Sequence, residues 1–386
     1  MTTDSTTADV IVVGGGISGT ATAWQLAQMG VRTVLLERGD LASMASGWTL
    51  AGVRQSGRHP AELPLAQAAI RRWEHLHEEL GTDVEYRQDG NLRLALTEDD
   101  LPKIRGVVAE GNAAGIETIM LEGPDAVLAV APALTPDLYG ASLCPTDGHA
   151  NPALVVQAFA DAARRAGAEI RTGVEVLRLV TEGDRITGVE TRDGTLSAGV
   201  VVLAAGIYTP TLIAPLGLEL PISVTMVAAV QSVPVPPTLT QVLGMASGGV
   251  AGRQEVSGRY RFTGSTLPWG ETGPHTADSA KPSMAQVQDT IARTIRVLPS
   301  FADVRIANVW GGLLDQSPDA LPVFDAPRPG LVMAAGFSGH GFCLGPITGE
   351  ILADLAVEGE TAHPIAPFAL SRFAEGSETA GVTLNG

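Results

Sequence analysis

Residues 9–38 read DVIVVGGGISGTATAWQLAQMGVRTVLLER, and the reading of this stretch decides the fold. Val10 to Val13 is a short β-branched run, too brief for a helix and halted at once by Gly14, Gly15 and Gly16. Gly14, Gly16 and Gly19 keep the G-x-G-x-x-G spacing. In that spacing the first glycine makes a tight turn, the second lets a pyrophosphate reach the backbone, and the third seats the helix against the sheet. A helix over 17–29 then aims the free N–H groups of Ile17, Ser18 and their neighbours, with the positive end of its dipole, at that pyrophosphate. After Gly30 a second strand covers 31–36 and ends in Glu37, placed to accept a hydrogen bond from a ribose hydroxyl. A glycine triplet alone means little in a chain with 45 glycines. Here strand, turn, helix, strand and acid arrive in order, and together they predict a dinucleotide site. Arg38 follows the acid, but the Glu37 carboxylate would repel a 2′-phosphate, so FAD or NAD suits the site better than NADP.

The 386 residues suffice for a large core and two lobes. A net charge of −17 argues against nucleic acid or an anionic membrane as partner. No apolar run reaches the length of a membrane span. The first nine residues, Thr-rich and carrying Asp4 and Asp9, lack the basic start of a secretory signal, so the expected location is the cytoplasm. Cys144 and Cys343 are too few for a disulfide framework or a cysteine-rich metal site, and His149 has no second histidine at ligand spacing. Lys103 and Lys281 are the only lysines, so a role needing an amine that can turn neutral has two candidates.

Outward from the opening unit, residues 40–58 form a loop rich in Ser, Gly and Ala. A helix follows over 61–80, with Leu65, Ala69, Trp73, Leu76 and Leu80 at three- and four-residue steps. Residues 84–143 alternate short strands with a helix over 101–114, capped by Asp99 or Asp100. Asn151 before Pro152 opens a helix that runs to Gly167. A strand over 168–172 comes next, Asp193-Gly194 signals a hairpin, and 199–206 (GVVVLAAG) reads as a buried parallel strand. Residues 221–264 are strand-rich, a helix covers 283–298, and strands cover 304–310 and 331–335. Residues 336–341 are a glycine loop before a closing helix over 345–355.

Three separated pieces then resemble one flavoprotein family, that of sarcosine oxidase, glycine oxidase and the D-amino-acid oxidases and dehydrogenases. They are the N-terminal unit, the VVLAAG strand at 201–206, and the loop from Gly336 through Phe337, Ser338, Gly339, His340 and Gly341 to Phe342. Ala51-Gly52-Val53-Arg54 and the stretch 310–323 (WGGLLDQSPDALPV) extend the likeness over nearly the whole chain. The resemblance implies an α/β fold with an α+β substrate lobe. Its Rossmann-like FAD domain would be assembled from 1–84, 151–215 and 311–386, and its mostly antiparallel substrate domain from 85–150 and 216–310. It implies FAD contacts from Gly14, Gly16, Ile17, Ser18, Gly19, Glu37 and Arg38, and from Ser43, Ser46, Gly47, Ala51 and Gly52. Further contacts are implied from Val174 beside the adenine, from Ala205 and Gly206, and from Gly336, Gly339, His340, Gly341 and Phe342. Backbone N–H groups in 339–346 would meet the negative charge of reduced flavin. Some sarcosine oxidases hold their flavin through a cysteine before a T-P-D segment. The matching position here is about Gly312, ahead of Ser317-Pro318-Asp319, so FAD is expected without a covalent bond. Sarcosine oxidases also carry a lysine over the flavin, whereas the equivalent strand at 259–264 (RYRFTG) offers only Arg261. The electron acceptor, O₂ or another, stays open on that ground.

The expected chemistry is oxidation of a small amine or amino acid by hydride transfer to flavin N5. Arg54 stands where the family places an arginine for the substrate carboxylate. His340 is the candidate base or hydrogen-bond donor, and Gln55, His59, Arg253 and Tyr260 are weaker pocket candidates. An amine can bind neutral and needs no strong base. An alcohol needs one, so oxidation of a sugar or glycoside with His340 as base is the alternative. A flavin-carrying subunit of a larger electron-transfer complex, and a homo-oligomer, are left open.

Overall fold

The computed structural model of the chain describes residues 7–270 and 279–374. Strand Thr7–Val13 lies inside an eight-stranded sheet, paired in parallel with Thr33–Glu37 on one side and Gly194–Leu203 on the other. Glu169–Thr172 continues the sheet in parallel beyond Thr33–Glu37, and Leu331–Ala335 beyond Gly194–Leu203. Val323–Arg328 closes that edge antiparallel. A meander of Val176–Glu182 and Arg185–Thr191 pairs antiparallel with the first residues of Gly194–Leu203. The sheet is covered on both faces, which is why its central strands are apolar throughout rather than alternating.

One face carries four helices, Ile17–Gln28, Leu63–Leu80, Pro152–Arg165 and Gly341–Val357. Leu65, Ala69, Trp73, Leu76 and Leu80 are all buried there, as their spacing predicts. The closing helix lies tight on the first, since a Cβ on Gly349 would stand 2.7 Å from the backbone of Ala21. Asn151 caps its helix by accepting the Leu154 N–H.

The second sheet runs in the order Ile306–Gln316, Ser223–Pro234, Arg259–Pro268, Ala251–Gln254, Val242–Met245, Asn91–Ala95, Gly140–Cys144, Ile119–Glu122. Every pairing is antiparallel except that of Val242–Met245 with Asn91–Ala95. Helix Met284–Val297, boxed by Ser283 and Gln286, packs on it over the aromatic group Tyr260, Phe262 and Phe301.

Four boundaries differ from the sequence reading. Asp100 stands at the N-cap of the helix Leu101–Ala113 as expected, but its side chain makes no cap bond there; it closes a capping box with Thr97 on the short 3₁₀ turn Glu98–Asp100 that precedes the helix. The hairpin loop is Arg192-Asp193, with Gly194 already in the strand, and the strand ends at Leu203 rather than 206. The strand expected over 304–310 spans Ile306–Gln316, held by its ladder with Ser223–Pro234 as far as Gln316. Residues 311–316 therefore pair in the second sheet. The closing helix begins at Gly341, four residues before the expected start, with Pro346 inside it. Phe342 and Cys343 fix that first turn: Phe342 stacks 5.4 Å from Trp73, whose Nε1 donates to the Cys343 carbonyl. Residues 1–6, 271–278 and 375–386 of the expected domains lie outside the described residues. Among the described residues no helix is long and apolar enough to cross a membrane.

Candidate active site

The turn after Thr7–Val13 builds a backbone cradle. Gly14 has φ +117°, and a Cβ there would run into the Ala204 carbonyl; a Cβ on Gly19 would run into the Gly14 carbonyl. The Ile17 N–H at the helix start donates to Ser46 Oγ at 3.0 Å. Glu37, at the end of its strand, accepts the Gly15 N–H at 2.6 Å and the Gly39 N–H at 2.7 Å, one on each oxygen. The Arg38 guanidinium lies 3.8 Å from the centre of the Tyr208 ring and donates to its hydroxyl at 2.6 Å. These groups surround a cavity of about 290 Å³ whose lining also includes Ser43, Val174, Ala205, Gly206, Leu313 and Asp315.

A second cavity, about 210 Å³, shares Ala45 and Leu313 with the first. Its lining comes from the loop Trp48, Thr49 and Leu50, from Thr263 and Thr266 of the second sheet, and from Gly312, Leu314 and Gly339. Two arginines of that sheet fasten the loop. Arg253, fully buried, donates to the Leu50 carbonyl at 2.6 Å and the Ala150 carbonyl at 3.0 Å, and lies against His149 Nδ1. Arg261 donates to the Thr49 carbonyl at 2.8 Å, pairs with Glu255 at 2.6 Å and covers the Trp310 ring. Burial, and then the Arg253 charge, push the His149 imidazole down to about 2, so it stays neutral.

Behind the Gly336–Gly341 loop lies a buried ionic cluster. His340 Nδ1 meets Glu62 Oε2 at 2.9 Å, and Glu62 pairs with Arg58 at 3.4 Å, with both side chains of that pair almost wholly enclosed. Burial by itself would raise the Glu62 carboxyl, but His340 and Arg58 bring it down to about 2. Burial and Arg58 lower the His340 imidazole against the pull of Glu62, so a neutral ring donates from Nδ1 and leaves a lone pair on Nε2. That buried Nε2 has no partner. The Arg54 guanidinium donates to the carbonyls of Ser56 and Gly57. Asp147 accepts from the Ser56 hydroxyl and from the Gln55 N–H at 2.8 Å.

Of the residues the sequence singles out, the first cavity gathers Gly14, Gly16, Glu37, Arg38, Ser43, Ser46, Val174, Ala205 and Gly206, and the second takes Gly339. Ile17, Ser18 and Gly19 stand in the first helical turn outside both linings, and Gly47 packs against the Ala42 carbonyl. Ala51 is enclosed and Gly52 pairs with His149, so the cavity contact falls one step earlier, at Thr49 and Leu50. Gly336 donates to Asp315, Gly341 packs on Phe337, and Phe342 faces Trp73 in the helical layer. Neither Arg54 nor His340 lines either of these two cavities; both belong to the ionic cluster. Cys144, Cys343, Lys103 and Lys281 also lie outside both linings. Sequence reasoning missed Tyr208, Trp48, Leu313 and Asp315. A signal existed for Asp315, a lone acid in the apolar run after Gly311-Gly312.

A glycine cradle at a helix start, serine hydroxyls beside it and an acid closing the second strand fit a dinucleotide. The fold and this site define a protein of two large sheets with a dinucleotide-type cradle. Residues 9–355 match the family described as FAD dependent oxidoreductase (DAO), and the chain belongs to that family. Sarcosine oxidase subunit beta of Arthrobacter sp is 30% identical over 95% of this chain and 91% of that protein. Glycine oxidase of Geobacillus kaustophilus is 29% identical over 94% of this chain and 97% of its own length, and its crystal structure superposes with a TM-score of 0.88 over 95% of this chain and 99% of that one. The structure of L-proline dehydrogenase from P. horikoshii also has a TM-score of 0.88, at 25% identity, covering 95% of this chain and 98% of that one. The protein is an FAD-dependent oxidoreductase.

Proposed function

We propose that this chain oxidises a small amine or amino acid at a carbon bonded to nitrogen. One observation carries the reading: the glycine-cradled cavity shares Ala45 and Leu313 with a second cavity of small-molecule size beneath the second sheet. The relatives add the substrate class, since sarcosine, glycine and proline are all amino acids with CH–NH bonds. None of those names points to a glycoside.

FAD, when bound, supplies a two-electron acceptor for the hydride equivalent. Gly14, Gly16, Ser43 and Ser46 would hold its diphosphate, and Glu37, Arg38, Val174 and Tyr208 its adenosine. Gly312 stands where a cysteine link would form, so the cofactor is held without a covalent bond; acid precipitation should leave all flavin in the supernatant. In the second cavity the hydroxyls of Thr49, Thr263 and Thr266 orient a neutral amine, which needs no strong base. His340 and Arg54 act as positioning residues, holding the 336–341 and 54–57 loops from the buried cluster. Arg261 is spent on Thr49, Glu255 and Trp310, and no lysine lines the cavity; the acceptor is O₂ or another oxidant. Several relatives are named as subunits, so assembly with itself or another chain belongs to the same reading.

The test is anaerobic mixing of the flavoprotein with sarcosine, glycine, proline and simple glycosides. Loss of flavin absorbance with an amino acid and none with the sugars is expected. Bleaching by glycosides alone overturns the reading.

A further inference from the structure

We infer that Asp315 is a cofactor-binding residue that accepts hydrogen bonds from the ribityl hydroxyls of FAD. The inference rests on FAD occupying the first cavity. Three carboxylates line that cavity, those of Glu37, Glu175 and Asp315. A dinucleotide brings two phosphate charges to the Gly14–Gly16 cradle, so an acid in the lining must face hydroxyl donors. FAD has such donors in two places only, the adenosine ribose and the ribityl chain.

Glu37 and Glu175 stand at the adenosine end. Glu37 closes the second strand, and Glu175 sits beside Val174 and pairs with Arg192 at 3.0 Å. Asp315 is at the other end. It comes from strand Ile306–Gln316, whose Gly312, Leu313 and Leu314 line the second cavity. An FAD with its diphosphate at the cradle and its ring in the second cavity would pass Leu313, which lines both cavities, and Asp315 beside it, and the part of FAD between diphosphate and ring is the polyhydroxy ribityl chain. The geometry is built rather than incidental. Asp315 is 8% exposed, accepts the Gly336 N–H on Oδ2 at 2.7 Å, and takes the Ser338 N–H on its own carbonyl at 3.0 Å. Ser338 itself is held at φ +53° within that turn. The backbone thus fixes the carboxylate where strand Ile306–Gln316 meets the turn after Leu331–Ala335, and an ionised carboxylate still has lone pairs for hydroxyl donors.

The competing role is a loop anchor that never touches cofactor. Two ligands separate the roles: FAD, and an FAD analogue whose linker between diphosphate and ring carries no hydroxyls. Dissociation constants are measured on cofactor-stripped protein by quenching of flavin fluorescence, for wild type, Asp315→Asn and Asp315→Ala. The expected result is a 10- to 100-fold weakening of FAD in Asp315→Ala, the scale of one or two bonds to a charged acceptor, and near-equal affinity of wild type and variant for the analogue. Equal weakening of both ligands, or unchanged FAD affinity, overturns the assignment. If Asp315→Ala does not fold, Asp315→Asn decides by the same comparison. A wild-type protein that takes up no FAD would instead sink the cofactor reading on which this one stands.

Discussion

Replacing Glu62 by glutamine tests how far the buried cluster supports the fold. Glu62 is fully enclosed, 3.4 Å from Arg58 and 2.9 Å from His340. Removing its charge leaves the Arg58 guanidinium buried and uncompensated, which costs about 3–5 kcal/mol where such pairs have been broken. A second route to the magnitude is independent. The folded carboxyl sits at about 2, below its ordinary 4.5. Each unit of that difference corresponds to about 1.4 kcal/mol, so the ionised form contributes roughly 3 kcal/mol at neutral pH. The sign follows from the direction. A depressed carboxyl stabilises fully above its unfolded value and loses that contribution as pH falls from about 4.5 towards 2. Glu62→Gln should therefore lower stability by about 3 kcal/mol at pH 7, with the gap to wild type closing through the acid range. The assay is urea unfolding followed by tryptophan fluorescence, at fixed excess FAD and at several pH values. A loss under 1 kcal/mol at pH 7, or a gap unchanged between pH 7 and pH 3, would refute the reasoning.

Other consequences are as direct. Gly14→Ala puts a side chain into the Ala204 carbonyl at φ +117°, and should purify with little flavin and with stability reduced by about 2–4 kcal/mol; absorbance near 450 nm and a thermal melt read both. Asp315 is raised by burial to about 6, so in cofactor-free protein its ionisation costs stability as pH climbs from about 4 through 6. Asp315→Asn without FAD should then gain on wild type over that window, by up to about 3 kcal/mol, and a pH series of melts would show no such gain if the group titrates normally. Arg253→Leu strips the Leu50 and Ala150 carbonyls of their donor and should cost about 2–4 kcal/mol. The same variant should also raise the KM for the amine, because the Trp48–Leu50 wall loses its fastening; a KM equal to wild type would deny that link.

The parts of this molecule that local chemistry dictates were legible in the chain. Gly14, Gly16 and Gly19 announce the cradle because each must avoid a Cβ clash, and Leu65, Trp73, Leu76 and Leu80 announce their helix by period alone. What stayed hidden depends on neighbours distant in sequence. Glu62 and His340 are 278 residues apart and touch only because Leu63–Leu80 and Gly341–Val357 pack side by side. The start of the closing helix is hidden for the same reason: GHGFCLGP looks like a loop until Trp73 accepts Phe342 against its ring and binds the Cys343 carbonyl. Register explains Arg261. As a residue two before Thr263 it shares the cavity-facing side of its strand, yet Glu255, Thr49 and Trp310 take its charge before it reaches the cavity. A cation judged by strand position alone would be counted as an electrostatic aid to catalysis, whereas its partners make it a clamp on the loop that walls the second cavity.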